Sequence, residues 1–203
     1  MKQVCVFCGS SRPTVTSATG ATDLAARAEA AAARLGEDLA RRGLGLVYGG
    51  GSVGLMGILA NAALRAGGRV TGVIPECLAT REVMHLALSE QHVVPTMHDR
   101  KAMMARLSDA FVALPGGFGT LEELFEVLTW AQLGLHRKPV VVLNLDGYYD
   151  PLLAFADQAV ARGYLSPLHR ALLRAVTEVD QVLDDLQAAR PPVTSKWLRP
   201  EDL

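Results

Sequence analysis

The sequence predicts an α/β fold: a doubly wound, mostly parallel sheet flanked by helices, Rossmann-like and built as a single domain. Three observations carry this. Short apolar runs alternate along the chain with amphipathic helical stretches, the β-α-β pattern of a parallel sheet. Several of those runs end in loops of glycine, serine or proline, where such sheets bind their ligands. The 203 residues, half of them hydrophobic, suffice for one core of ordinary size, and no repeat or low-complexity linker marks a second domain.

In chain order, residues 3–7 read as the first strand, which stops at Gly9-Ser10-Ser11, and the alanine-rich stretch 22–42 as a long helix. Residues 44–48 form a second strand ending in Gly49-Gly50-Gly51, followed by a helix at 54–66 and a strand at 69–74 that closes on Pro75-Glu76. A strand at 91–94 precedes a helix at 99–107. There Arg100, Met103, Met104 and Leu107 recur at spacings of three, four and seven, so the arginine heads an inward apolar stripe. The next strand, 110–114 with Asp109 at its start, runs into Pro115-Gly116-Gly117 and a helix at 120–133. A strand at 140–145 and helices at 151–162 and 179–189 complete the fold. Pro191-Pro192 ends regular structure, so residues 1–190 form the domain and 191–203 a C-terminal tail.

Net charge is -1 and the isoelectric point about 6.5, so no basic footprint points to a nucleic-acid partner. The apolar run at 4–7 is too short for a signal-peptide core, and no stretch approaches the roughly 18 apolar residues of a membrane span. A cytoplasmic protein with no membrane partner is expected. The three cysteines are too few for a disulfide framework. Cys5-Val6-Phe7-Cys8 spells C-x-x-C, but Cys5 lies inside a strand rather than at a helix N-terminus, and no second cysteine or histidine pair completes a metal site. Neither redox nor metal chemistry is expected of these cysteines.

The stretch Pro115-Gly116-Gly117-Phe118-Gly119-Thr120-Leu121-Glu122-Glu123 passes from a strand through a glycine turn into a helix. Glycines let the backbone approach a ligand closely, and the positive end of a helix dipole favours a phosphate. Glu123 then lies near whatever the phosphate is attached to. A phosphorylated small molecule is the expected ligand. The spacing of Thr120 and Glu123 also fits a capping box. Against that, a cap needs no Pro-Gly-Gly-x-Gly before it, and Glu123 shares a helical stripe with Glu126, Val127 and Trp130, which suits a pocket or a subunit contact.

Gly49-x-Gly51-x-x-Gly54 fits the dinucleotide fingerprint, with Glu76 at a suitable distance, so a dehydrogenase is a rival. The motif lies in the second βα turn rather than the first, however, and no residues remain for a separate substrate domain. Two glycine cradles on one small sheet suit one nucleotide gripped at several points. Arg100 fits a guanidinium fixed beside a carboxylate or phosphate, and Arg81-Glu82 adds a polar contact or a surface ion pair.

Taken together, the Gly49-Gly50-Gly51 turn, Arg100-Lys101 and Pro115-Gly-Gly-Phe-Gly-Thr-Leu-Glu-Glu123 resemble the LOG ("lonely guy") family of cytokinin riboside 5′-monophosphate phosphoribohydrolases. The likeness runs from Val4 to Gly147-Tyr148-Tyr149; residues 13–21 and the tail after Arg190 have no match. The resemblance implies hydrolysis of the N-glycosidic bond of a cytokinin riboside 5′-monophosphate, and of AMP, with no metal or organic cofactor. It makes Arg100 and Glu123 the catalytic pair. It assigns nucleotide binding to Ser10, Gly50, Gly51, Ser52, Glu82, Lys101, Gly116, Gly117, Phe118, Gly119, Thr120, Glu122 and Thr129. A homodimer with sites near the subunit contact is implied as well. In this reading Arg100 orients Glu123 and lowers its pKa, keeping it ionised to steady positive charge on the sugar. The alternatives are a nucleotide-sensing or molybdenum-cofactor-carrying module of the same superfamily. A lysine decarboxylase is a further one, for which none of Lys2, Lys101, Lys138 and Lys196 sits in a readable Schiff-base setting.

Overall fold

Among the residues that the computed structural model describes, 1–10, 21–79 and 84–193, seven strands form one sheet. They are β1 (Gln3–Phe7), β2 (Gly45–Tyr48), β3 (Val70–Pro75), β4 (Glu90–Val94), β5 (Ala110–Ala113), β6 (Val140–Leu143) and β7 (Leu173–Val176). Every neighbouring pair is parallel, and the order is β4-β3-β2-β1-β5-β6-β7. The chain steps outward from β1 to β4, then returns to lay β5 on the free side of β1. Strand order therefore reverses between β1 and β5, where a doubly wound sheet opens its crevice. No described helix is long and apolar enough to cross a membrane.

The helices are α1 (Ala21–Arg41), α2 (Gly54–Arg65), α3 (Glu76–Ala79), α4 (Met97–Leu107), α5 (Phe118–Leu133), α6 (Asp150–Ala161), α7 (Pro167–Arg170) and α8 (Val179–Ala188), with a 3-10 turn at Leu145–Gly147. Side-chain alternation along the strands sorts them into two layers. Val4, Val6 and Val112 face a core shared with Leu35 and Leu39 of α1, Leu59 of α2 and Leu183 of α8. Cys5, Phe7, Phe111 and Val142 face the opposite core, against Met104 of α4, Leu124 and Val127 of α5 and Leu152 of α6. Each leucine so buried contributes on the order of 1.5–3 kcal/mol. Cys5 and Cys8 fall on opposite faces, both as buried free thiols, and burial pushes both well above the ordinary thiol range.

Several elements differ from the expectation, among them the short helices α3 and α7, which the sequence reading did not contain. β7 is absent from the sequence reading because it is a four-residue edge strand carrying a charge: Arg174 bonds Asp185 through Nε at 2.8 Å, while Leu173 alone is buried. The helix expected at 120–133 starts at Phe118, because Gly117 takes the extended cap position (φ −89°, ψ −154°). The expected strand at 140–145 stops at Leu143, and Leu145 opens the 3-10 turn.

Candidate active site

A cleft of about 280 Å³ opens at the carboxyl ends of β1 and β5, where strand order reverses. Cys8, Gly9 and Ser10 line it from the end of β1, and Met56 of α2 and Leu78 of α3 form an apolar wall. Met97 and Arg100 enter from α4, and Gly117, Gly119, Thr120 and Glu123 from the start of α5.

Arg100 is placed by the first turn of α4, which Thr96 caps by accepting the Asp99 N–H at 3.1 Å. Only 6% of Arg100 is exposed. Its Nη2 donates to the Gly49 carbonyl at 3.4 Å and lies 3.8 Å from Glu123 Oε1, while Nη1 donates to Met97 Sδ at 3.4 Å. Its Nε is buried without a partner among the described residues. A Cβ on Gly49 would stand 1.8 Å from Nη2, so the guanidinium occupies the space that a side chain at this position would need.

Glu123, 7% exposed, sits on the buried face of α5 and points at that guanidinium. Burial pushes its carboxyl up; Arg100 pulls it down, Glu122 raises it, Lys101 lowers it and Glu126 raises it, and the outcome is about 7. This corrects the expectation of a carboxylate held ionised. Arg100 acts in the expected direction, but removal from water outweighs it.

The capping box does not form. Gly117 is the N-cap and carries no side-chain cap bond, so Thr120 lies third in the helix and Glu123 sixth. Thr120 is 3% exposed and packs against Gly116, where a Cβ would meet Oγ1 at 2.2 Å. The N–H groups at the start of an α-helix have no intrahelical carbonyl, and here they border the cleft through Gly117, Gly119 and Thr120. The start of α5 is thus a cradle for an anion, with a carboxyl–guanidinium pair one turn away.

Other expected binding residues lie off the cleft. Lys101 is buried and bridges α4 to α5 through Glu122 and, at 3.0 Å, Glu126; burial draws its ammonium down, and the two carboxylates outweigh that and leave it raised. Thr129 is exposed and donates to the Phe125 carbonyl at 2.7 Å. Phe118, 93% exposed, flanks the cradle. Gly50 (φ 77°) accepts the His85 N–H at 3.1 Å and Gly51 bridges to Met84, so both shape the turn behind the cleft. Ser52 joins Ser10 in an adjoining depression of about 420 Å³ at the start of α2. Glu82, with Arg81, lies outside the described residues. Met56 and Leu78 are not singled out by the sequence, where nothing distinguishes them from core residues, and Cys8 figures there only in the C-x-x-C run. Among the described residues no group of three His, Cys, Asp or Glu side chains is placed to hold a metal.

A family model described as "Possible lysine decarboxylase" matches residues 56–186. A probable cytokinin riboside 5′-monophosphate phosphoribohydrolase of Oryza sativa subsp. japonica is 51% identical over 191 residues, 94% of this chain and 74% of that protein. A cytokinin riboside 5′-monophosphate phosphoribohydrolase of Arabidopsis thaliana is 48% identical over 198 residues, 96% of this chain and 87% of that one. Among solved structures, the molybdenum cofactor binding protein of the phototrophic bacterium Rippkaea orientalis superposes with a TM-score of 0.68 at 22% identity, covering 92% of this chain and 96% of that one. That likeness is one of fold alone.

Proposed function

Since the chain belongs to the LOG family, whose members at about half identity are cytokinin riboside 5′-monophosphate phosphoribohydrolases, we propose that it hydrolyses the N-glycosidic bond of such nucleotides and of AMP. One observation carries the reading: a buried Arg100–Glu123 pair stands in the same cleft as a glycine-lined helix N-terminus. The 5′-phosphate is held at the start of α5, which sets the ribose beside Glu123. Cleavage breaks the bond between C1′ and the base nitrogen. The electron pair and a proton go to the base, and water delivers hydroxide to C1′, giving the free base and ribose 5-phosphate. Positive charge on the sugar grows as the base leaves, and ionised Glu123 steadies it. Arg100 orients the carboxylate and favours its ionised form.

Lysine-based chemistry has no support at this cleft. Lys101 is engaged by two carboxylates, and Lys138 donates to the Ala105 carbonyl at 2.6 Å before the start of β6, away from the carboxyl ends. A cofactor-carrying role rests on fold likeness, whereas relatives near half identity bear hydrolase names. The reading extends to a cytoplasmic homodimer in which the α5 face bearing Phe125 (44% exposed) and the half-buried Glu126 and Trp130 meets a second copy.

Chromatography after incubation with AMP, isopentenyladenosine monophosphate, GMP and CMP tests the proposal. Release of adenine-type bases by the wild type, lost in Glu123→Ala and Arg100→Ala, is the expected result. No release from any of the four, or near-normal turnover by either variant, overturns it.

A further inference from the structure

The segment after β6 carries a strained turn with no role in the chemistry above. Asp146 has φ 53°, the sole positive φ outside glycine among the described residues, and Gly147 follows at φ 74°. The turn is held on three sides. Asn144 accepts the Tyr149 N–H at 2.7 Å and donates to Asp150 Oδ1 at 2.7 Å, and Arg27 of α1 pairs with Asp146 at 2.7 Å. What this strain secures is the direction of two consecutive phenols. Tyr149, 1% exposed, donates to the Leu114 carbonyl at 2.7 Å, and Tyr148 donates to the Gly116 carbonyl at 2.6 Å. The two rings meet edge to face at 5.0 Å, so neither swings alone. They therefore grip the backbone on either side of Pro115.

In a trans peptide the carbonyl of one residue and the N–H of the next point in opposite directions. Holding the Gly116 carbonyl against Tyr148 thus turns the Gly117 N–H to the other side, and Gly117 lines the cleft. Glycines at 116 and 117 leave this peptide free to rotate unless something pins it. We propose that Tyr148 and Tyr149 are positioning residues: they fix the Pro115–Gly117 turn so that its N–H groups are presented to the substrate's phosphate. This rests on the hydrolase reading and names what presets its phosphate site.

The decisive variant is Tyr148→Phe, because Tyr148 is 42% exposed and water can replace its hydroxyl at the Gly116 carbonyl without harm to the fold. Tyr149→Phe strands a buried carbonyl and is the less clean change. Calorimetric binding of ribose 5-phosphate and of adenine separates the phosphate end from the base end. Tyr148→Phe is expected to weaken ribose 5-phosphate about tenfold, leave adenine unchanged and keep the wild-type Tm. Unchanged ribose 5-phosphate affinity, equal loss for both ligands, or a wild type that does not bind ribose 5-phosphate overturns the assignment. A wild type that binds ribose 5-phosphate but releases no base from AMP sinks the hydrolase reading and leaves the clamp standing.

Discussion

Replacing Glu123 by glutamine tests the electrostatics of the site through stability alone. The wild-type carboxyl is raised from 4.5 to about 7, chiefly by burial. A raised folded pKa means that the native state binds the proton more tightly than the unfolded chain, so this group's contribution is fully present below pH 4.5 and is lost as pH rises to about 7. The shift corresponds to about 3 kcal/mol, of which roughly 2–3 kcal/mol falls between pH 5 and 8. Glutamine mimics the protonated acid at every pH. Glu123→Gln should therefore gain on the wild type by roughly 2–3 kcal/mol between pH 5 and 8, levelling off above pH 7. Urea unfolding of both proteins at matched pH values measures this, and taking the difference cancels every other titration. A gap that stays flat with pH, or closes as pH rises, would refute the claim that desolvation outweighs Arg100.

Three further outcomes follow from the same geometry. The kcat/KM for AMP should fall about tenfold per pH unit below an acid limb near 7, because the role proposed for Glu123 requires its ionised form; a profile flat to pH 5 rejects this. Gly49→Ala places a methyl carbon 1.8 Å from Arg100 Nη2 and should cost about 100-fold in kcat with a modest change in Tm, since the guanidinium has to leave its seat; near-normal kcat contradicts it. Lys101→Met removes a charge that lowers the Glu123 carboxyl while the flanking Glu122 and Glu126 remain to raise it. The acid limb of its pH–rate profile should move upward; an unmoved limb would place Lys101 outside the electrostatics of the site, and a downward shift would contradict the sign of its effect.

Local pattern was enough to mark most of the fold and the heart of the site. Apolar runs a few residues long identified the strands from β1 to β6, because strand and helix periodicities act over neighbouring residues. The passage from β5 through Pro115-Gly116-Gly117 into a helix was legible for the same reason: glycine content, strand end and helix start are contiguous. The stripe headed by Arg100 pointed inward by spacing alone, and Arg100 is buried in the structure.

Tertiary structure decided what depends on distant parts of the chain. Strand order, and with it the crevice between β1 and β5, follows from a crossover that no local pattern encodes. Lys101 reads like Arg100 in sequence, yet α4 and α5 dock so that Lys101 meets Glu122 and Glu126 while Arg100 meets Gly49 and Glu123. The charge state of Glu123 is set by how much water the surrounding elements exclude, so the sequence identified the carboxyl and the sign of its partner, and packing settled which effect prevails. Tyr148 and Tyr149 find their acceptors 32 and 35 residues back along the chain, a relation that exists only once β5 and β6 lie side by side.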